Sequence, residues 1–461
     1  MRIAVISDTH FGDPLGTLVT SQHGRSSIGP AYAPLARAIG AVDYLVLLGD
    51  IVDFSVSSYD EAYRAARVFF TQLQQDGLAR EMIYIPGNHD YDVWHTVEHQ
   101  VNVINRLQQG QLPRAFKRSV PGVIDDRRKD DKFLLPDVVP SRSSHDPEPH
   151  YGDLFFDDIT RVAAHGHLLG EKLTFNFAYP NLYLITDAGE SLLLTHGHYF
   201  EAFWAVTSEL AATLALDDLE LEAGQELSLR EMVGINLPLN QLACSGIGQA
   251  KPLAELARRV HADVSAGRVD TVRKYLDRFE ALIREEKSLG WVKRGAAIAA
   301  SRWLKRRLLR SLASMETARY RKEFLFRPRV RERFRKYYRY SLHEIERLGL
   351  EHHLDIPAPT HVVFGHTHQP IPWGAEELVD VVDGRVVSFC NTGGWVLKED
   401  RSGLSFSGAE VLLYESGKGV RSIPVTSTDV YPVARADERA AVRVRTASRH
   451  QHTKTRGETP R

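Results

Sequence analysis

Arg2-Ile3-Ala4-Val5-Ile6-Ser7-Asp8-Thr9-His10 stands near the start of the chain, and its reading decides the fold. Ile3 to Ile6 is a short apolar run rich in β-branched side chains, the pattern of a strand buried on both faces. Asp8 and His10 follow at once. At a spacing of two, their side chains can converge on one ion as the chain turns off a sheet edge. The same arrangement recurs. Residues 43–48 (Asp-Tyr-Leu-Val-Leu-Leu) lead into Gly49-Asp50-Ile51-Val52-Asp53, and residues 81–85 (Glu-Met-Ile-Tyr-Ile) lead into Gly87-Asn88-His89-Asp90. Residues 191–195 run into His196-Gly197-His198, and residues 361–364 into Gly365-His366-Thr367-His368. Each apolar run ends in Asp, Asn or His beside small residues.

Between the second and third runs, Ala62, Ala65, Ala66, Phe69, Phe70 and Leu73 recur at helical spacing over 59–76. Strands alternating with a helix predict an α/β sheet. Residues 110–150 break the pattern with scattered prolines and charge, and read as an irregular excursion or surface loop. Residues 182–186 and 191–195 flank Asp187-Ala188-Gly189-Glu190, a hairpin turn. Residues 200–350 have a largely helical pattern and hold none of the five motifs. Strands over 361–364, 386–390 and 410–414 then complete the sheet. The expected organisation is a catalytic domain over 1–199 and 351–432, split by a helical cap insertion over 200–350. A basic, disordered tail is expected over 433–461.

Oxygen and imidazole ligands without thiolate suit Mn, Fe or Zn. Asp50, after a glycine at a strand end, is placed to bridge two ions. Asn88 offers a neutral carbonyl oxygen, and His196, His366 and His368 offer imidazole nitrogens. Ligands from several strand ends meet at one sheet edge, where open α/β folds bind their ligands. Two divalent ions about 3.5–4 Å apart clamp a phosphoryl group and lower the pKa of a shared water, whose hydroxide attacks phosphorus in line.

The five motifs in this order resemble the calcineurin-like metallophosphoesterase superfamily over roughly residues 1–105, 180–200 and 360–415. The resemblance implies a β-sandwich flanked by helices (αββα) and a metal-dependent hydrolase of a phosphomonoester or phosphodiester. It implies that Asp8, His10, Asp50 and His368 hold one metal, and Asp50, Asn88, His196 and His366 the other. His89 would lie near the phosphate and stabilise charge or protonate the leaving oxygen, with Asp90 orienting its ring.

Neighbouring residues carry lesser expectations. Asp53 reads as a helix N-cap or a support behind the ligands rather than a ligand. Asp13 and His23 read as solvated loop residues near the first motif. His198 suits either a substrate contact or simple packing. His165-Gly166-His167 repeats the fourth motif, but no apolar strand precedes it. Asn391-Thr392-Gly393-Gly394-Trp395 reads as a tight structural turn.

Residues 302–339 hold fifteen Lys or Arg against three Glu, with interleaved aromatics, so a local anionic partner is possible despite a net charge of −1 for the 461 residues. An anionic membrane surface, a nucleic acid backbone, and a helix face packed on the catalytic domain all fit this stretch. Two cysteines, Cys244 and Cys390, make no disulfide framework, and no apolar run is long enough for a bilayer. The absence of room for a signal peptide before Asp8 points to the cytoplasm, with a peripheral membrane association open. A metal-stabilised scaffold without catalysis would be expected to lose His89 or a ligand, and this chain keeps all of them. A nuclease of the same superfamily would show steep salt dependence.

Overall fold

The computed structural model describes residues 1–138 except His23, together with 151, 173–201, 204–205, 228–241, 273–274 and 277. It also describes 326–431 apart from 376–378 and 401–402. His23, His165, His167, Cys244, most of the cap, residues 302–325 of the basic stretch and the 433–461 tail lie outside the described residues.

The chain is a mixed α/β protein. It begins with β1 (Arg2–Ile6), the hairpin β2 (Val19–Gln22) and β3 (Arg25–Ile28), and helix α1 (Tyr32–Ile39). Next come β4 (Val42–Leu48), α2 (Tyr59–Gln75), β5 (Ala79–Ile85) and α3 (Tyr91–His99). β6 (Gly122–Asp125), β7 (Phe133–Leu134), β8 (Thr174–Phe177), β9 (Asn181–Ile185) and β10 (Ser191–Thr195) follow. Helices α4 (Leu229–Gln241) and α5 (Pro328–His352) belong to the region expected to be helical. Then come β11 (His361–Phe364), β12 (Val379–Val382) and β13 (Arg385–Asn391). The chain closes with the hairpin β14 (Leu397–Asp400) and β15 (Gly403–Phe406), then β16 (Ala409–Glu415) and β17 (Gly419–Val425).

One sheet has the order β17-β16-β1-β4-β5-β8, and a second has the order β12-β13-β11-β10-β9-β6-β7. β1, β4, β5 and β8 run parallel, with Val5 opposite Val46 and Val46 opposite Ile83. Parallel strands need cover on both faces, and this explains why Leu45 to Leu48 are all buried. Alternation survives inside that burial. Ile3, Val5, Val46, Leu48, Ile83 and Ile85 of the first sheet share one apolar cluster with Leu182, Leu184, Leu192, Leu194 and Val363 of the second. The intervening residues Ala4, Ile6, Leu45 and Leu47 belong to another cluster, which takes in α2 through Ala62, Ala65, Ala66, Phe69, Phe70 and Leu73. Each fully buried aliphatic side chain contributes about 1.5–3 kcal/mol of transfer free energy. A capping box between Ser58 and Glu61 starts α2, satisfying two otherwise orphaned amides.

Residues 110–150 are not wholly irregular. β6 pairs in parallel with β9, Gly122 opposite Leu182, and β7 pairs with β6, so this excursion adds two strands to the second sheet. The apolar pair Val123-Ile124 is too short to announce a strand by itself; the partner strand completes it. α5 lies on the second sheet and spans the expected boundary at 350–351. Phe334 packs on Phe389 and Phe200 with ring centroids 4.5 and 5.6 Å apart. The Tyr337 hydroxyl donates to Asn181 Oδ1 at 2.6 Å and meets Thr195 Oγ1 at 2.9 Å. Buried Glu344 accepts from the Tyr183 hydroxyl at 2.8 Å, and burial raises its carboxyl pKa. Over 328–339 the aromatic side chains thus face the sheet, while Arg335 pairs with Asp380 at 2.6 Å and Arg339 with Asp383 at 2.9 Å.

Candidate metal centre

All five motifs sit at the carboxyl ends of strands: β1, β4 and β5 in one sheet, β10 and β11 in the other. β10 and β11 pair in parallel, Leu192 opposite His361, which brings the fifth motif beside the fourth although more than 150 residues separate them. The seven expected ligand residues meet at this shared edge, and all are buried.

The side chains form two groups. In one, His368 Nε2 lies 3.2 Å from Asp8 Oδ1 and 3.0 Å from His10 Nε2. His10 Nε2 is 3.9 Å from both Asp8 and Asp50. In the other, His196 Nε2 lies 3.1 Å from Asp50 Oδ2 and 3.2 Å from Asn88 Oδ1. Asp50, His196 and His366 place ligand atoms within 4.8 Å of one another, as do Asp8, His10 and His368. Asp50 therefore touches both groups.

The outer nitrogens are tethered. His196 Nδ1 faces the Leu48 carbonyl at 3.0 Å, and His10 Nδ1 faces Asp53 Oδ2 at 2.8 Å. Each contact fixes a tautomer with the Nε2 lone pair turned inward, the usual support for a metal-binding imidazole. Burial opposes charge on these rings, but the carboxylates outweigh it. Asp50 pushes His196 up to about 9, and Asp53 with Asp8 raises His10 well above its ordinary value. Asp8 and Asp50, despite burial, are held well below the carboxylate range by the facing histidines.

Glycines admit this crowding. A Cβ on Gly87 would overlap the Asp50 carboxylate, and one on Gly365 would overlap that of Asp8. The 391–395 segment braces the site. Asn391 Nδ2 donates to the Gly365 carbonyl at 2.7 Å, and the Trp395 amide donates to the Asp8 carbonyl at 3.0 Å. A Cβ on Gly394 would stand 2.9 Å from His368 Cγ.

His89 lies beside both groups, its ring centroid 4.9 Å from that of His10 and its amide donating to Asp50 Oδ1 at 2.7 Å. Asp90 does not orient it. The Asp90 carboxylate accepts from the Gly87 amide at 2.6 Å, the Ile51 amide at 2.7 Å and the Tyr84 hydroxyl at 2.5 Å. His89 Nδ1 faces Asp53 Oδ1 at 3.1 Å and Ser55 Oγ at 2.8 Å instead. Asp90 ties backbone turns together, and Asp53 spans His10 and His89. The spacing Gly49-Asp50-x-x-Asp53 carried that signal, since the turn after Asp50 folds Asp53 back beneath the site.

His198 is buried, and neither ring nitrogen has a hydrogen-bond partner among the described residues; its ring lies 4.0 Å from that of Tyr199. Asp13 Oδ1 accepts from the Leu15 amide at 2.7 Å, closing its loop. Glu201, which the sequence reading passed over, places Oε2 3.2 Å from His366 Nε2. No apolar strand leads directly to Glu201, so no motif marks it. Cys390 is buried and free, and no helix among the described residues is long and apolar enough to cross a membrane.

A search of curated proteins finds no match for the chain. The model of the calcineurin-like phosphoesterase family does match, over residues 1–210, so the first four motifs stand inside the matched segment and the fifth joins them through the fold. The family that the five motifs resemble is thus the family of this segment, and the chain carries a calcineurin-like phosphoesterase region whose family implies metal-dependent phosphoester hydrolysis.

Proposed function

We propose that the chain is a dinuclear metal-dependent phosphoesterase acting on a phosphomonoester or phosphodiester. The observation that carries this reading is the pair of buried ligand groups, Asp8-His10-His368 and Asp50-His196-His366, set side by side with Asp50 Oδ2 3.9 Å from His10 Nε2. The donor set fits divalent cations. Two imidazole nitrogens facing each other at 3.0 Å between aspartates need a cation or proton among them. The carboxylate field that raises His10 and His196 favours either. Asp8, His10, Asp50 and His368 would hold one ion, and Asp50, Asn88, His196 and His366 the other, with Mn, Fe or Zn all suited to oxygen and imidazole donors. Two such ions supply Lewis-acid charge and an activated water.

The chain's own groups then do the rest. His89, its side chain 15 % exposed beside the two ligand groups, donates a proton or hydrogen bond to the departing oxygen. Burial opposes its charge, while Asp53 and Asp50 raise its pKa. Asp53 holds the ring in place through Nδ1. The organisation that goes with this reading is an αββα sandwich interrupted by the 200–350 insertion. Its support is the cluster shared by the two sheets and the β10–β11 pairing across the insertion. A cytoplasmic location, and contact of the basic stretch 302–339 with an anionic membrane surface, belong to the same proposal; they rest on cysteine usage and on the basic composition of that stretch.

The test is elemental analysis of the purified protein, paired with hydrolysis of p-nitrophenyl phosphate and bis-p-nitrophenyl phosphate, with Mn and then with chelator. Near two metals per chain and chelator-sensitive turnover are expected. Absence of metal after supplementation would overturn the proposal. Two metals without turnover on any phosphoester would favour a binding scaffold.

A further inference from the structure

The fourth motif does not end at His198. His196-Gly197-His198-Tyr199-Phe200-Glu201 leaves β10 through Gly197 at φ +98°, a left-handed conformation that suits glycine. A 3-10 turn over His198–Phe200 follows. The Glu201 amide donates to the His198 carbonyl at 3.0 Å, which closes this turn. Phe200 anchors it, its ring 5.7 Å from that of Phe364 and 5.4 Å from that of Tyr337 on α5. The turn thereby delivers a carboxylate into the interior. Glu201 is 4 % exposed, and its Oε2 lies 3.2 Å from Nε2 of His366, itself 2 % exposed.

A buried carboxylate is costly unless it meets a positive or donating group. Here it meets Nε2 of an imidazole whose ring lies 5.2 Å from that of His196. We infer that Glu201 is a positioning residue: its carboxylate accepts the His366 Nε2 proton and holds the ring so that Nδ1 is presented to Asp50, Asn88 and His196. This rests on the dinuclear reading above. It gives three of the four ligand imidazoles one plan. Asp53 and the Leu48 carbonyl hydrogen-bond His10 and His196, and Glu201 stands in ion-pair contact with His366. Two of the tethers come from the end of β4 and the turn after it, whereas the third follows β10 at the start of the expected insertion.

The experiment compares wild type, Glu201→Ala and Glu201→Gln loaded with Mn, read by metal stoichiometry, by titration and by electron paramagnetic resonance. Glu201→Ala is expected to bind one ion ~10–100-fold more weakly, as loss of such a support does. Its spin-coupled two-ion signal should give way to that of an isolated Mn. Glu201→Gln keeps an oxygen acceptor and is expected to restore most of the second occupancy. Unchanged stoichiometry in Glu201→Ala overturns the inference while leaving the metal reading intact. A Glu201→Gln variant as defective as Glu201→Ala overturns it as well, since the carboxylate would then bind metal directly. A wild-type chain without metal removes the dinuclear reading and this inference with it. Should Glu201→Ala fail to fold, long-range ¹⁵N–¹H correlation in the Zn-loaded wild type decides. Protonated Nε2 on His366 is expected, and protonated Nδ1 overturns the assignment.

Discussion

Replacing Asp53 with Asn separates the two candidates for orienting His89. Five donors converge on the Asp53 carboxylate: His10 Nδ1, His89 Nδ1, the Ser55 amide and hydroxyl, and the Val56 amide. An amide has one acceptor oxygen where the carboxylate has two, and its NH₂ cannot accept from either ring. If the oxygen stays with the Ser55 turn and His89, the amide group meets His10 Nδ1 at 2.8 Å donor to donor, and His10 must change tautomer or move. Loss of such support costs ~10–100-fold in metal affinity. If the oxygen turns to His10, His89 loses its carboxylate partner and keeps only Ser55 Oγ, and the contribution at risk is that of a proton donor, ~10²–10⁴-fold in turnover. That range corresponds to about 3–5 kcal/mol of barrier. The assay is steady-state hydrolysis across a Mn titration, so that the affinity loss is saturated out and the turnover loss remains. Asp90→Asn serves as the comparison, because Asp90 holds backbone amides and Tyr84 and is expected to lower stability more than saturated turnover. Asp53→Asn within threefold of wild type, with Asp90→Asn strongly impaired at saturating Mn, would refute the reasoning and return the role to Asp90.

Gly87→Ala places a methyl group against the Asp50 carboxylate and within 2.8 Å of His196 Cδ2, so both ions should be lost together; normal stoichiometry by elemental analysis would contradict the packing. Phe334→Ala opens a cavity between Phe200 and Phe389 and should cost about 3–5 kcal/mol in denaturant unfolding, with a loss under 1 kcal/mol showing that α5 is not held there. Asp137 pairs with Arg347, Arg230 and His352, and the two arginines overcome its burial and lower its carboxyl to about 2. A carboxyl depressed by folding stabilises the protein above its unfolded pKa and loses that contribution as pH falls toward 2. Asp137→Asn should therefore lower the melting temperature at pH 6 and converge on wild type near pH 2–3, and a pH-independent difference would exclude the ion pairs as its cause. Chelator should lower the melting temperature of the metal-loaded protein, since a ligand at 100 times its dissociation constant adds about 2.7 kcal/mol; no shift would mean no bound metal.

Much of the first sheet was legible because parallel strands, buried on both faces, leave unbroken apolar words such as Leu45-Val46-Leu47-Leu48. What was not legible depended on partners. Val123-Ile124 becomes a strand only beside Leu182-Tyr183-Leu184. β17 is a mostly half-buried edge strand with Arg421 and Pro424 in it, so its composition resembles a loop until β16 pairs with it. Thr174-Phe175-Asn176-Phe177 did alternate as a half-buried strand does, and β5 pairs with it in parallel. In the basic stretch, Arg335 and Arg339 looked like a solvated or anion-binding face. Their aspartate partners lie on or beside β12, some forty residues away, beyond the reach of any local pattern.

The site shows the same division more sharply. The ligand types and their order were written in the motifs, but the direction of each side chain was not. Asp8, His10, Asp50, His366 and His368 have φ between 46° and 66°, a left-handed backbone that non-glycine residues seldom adopt. Each such residue costs of order 1–3 kcal/mol unless its surroundings compensate. Here the surroundings are specific: the Asp8 amide donates to the Gly49 carbonyl at 2.9 Å, and the His10 amide to the Asp50 carbonyl at 2.9 Å. The first two motifs hold each other in this strained form, each supplying the hydrogen bonds that the other's turn lacks. A reader of either motif alone sees a loop. The left-handed turns are what reverse the side chains from the strand direction into a common centre, so the feature that makes the site is a property of motifs in pairs. Asp53 illustrates this: it belongs by sequence to the second motif, yet its two oxygens serve a histidine of the first and a histidine of the third.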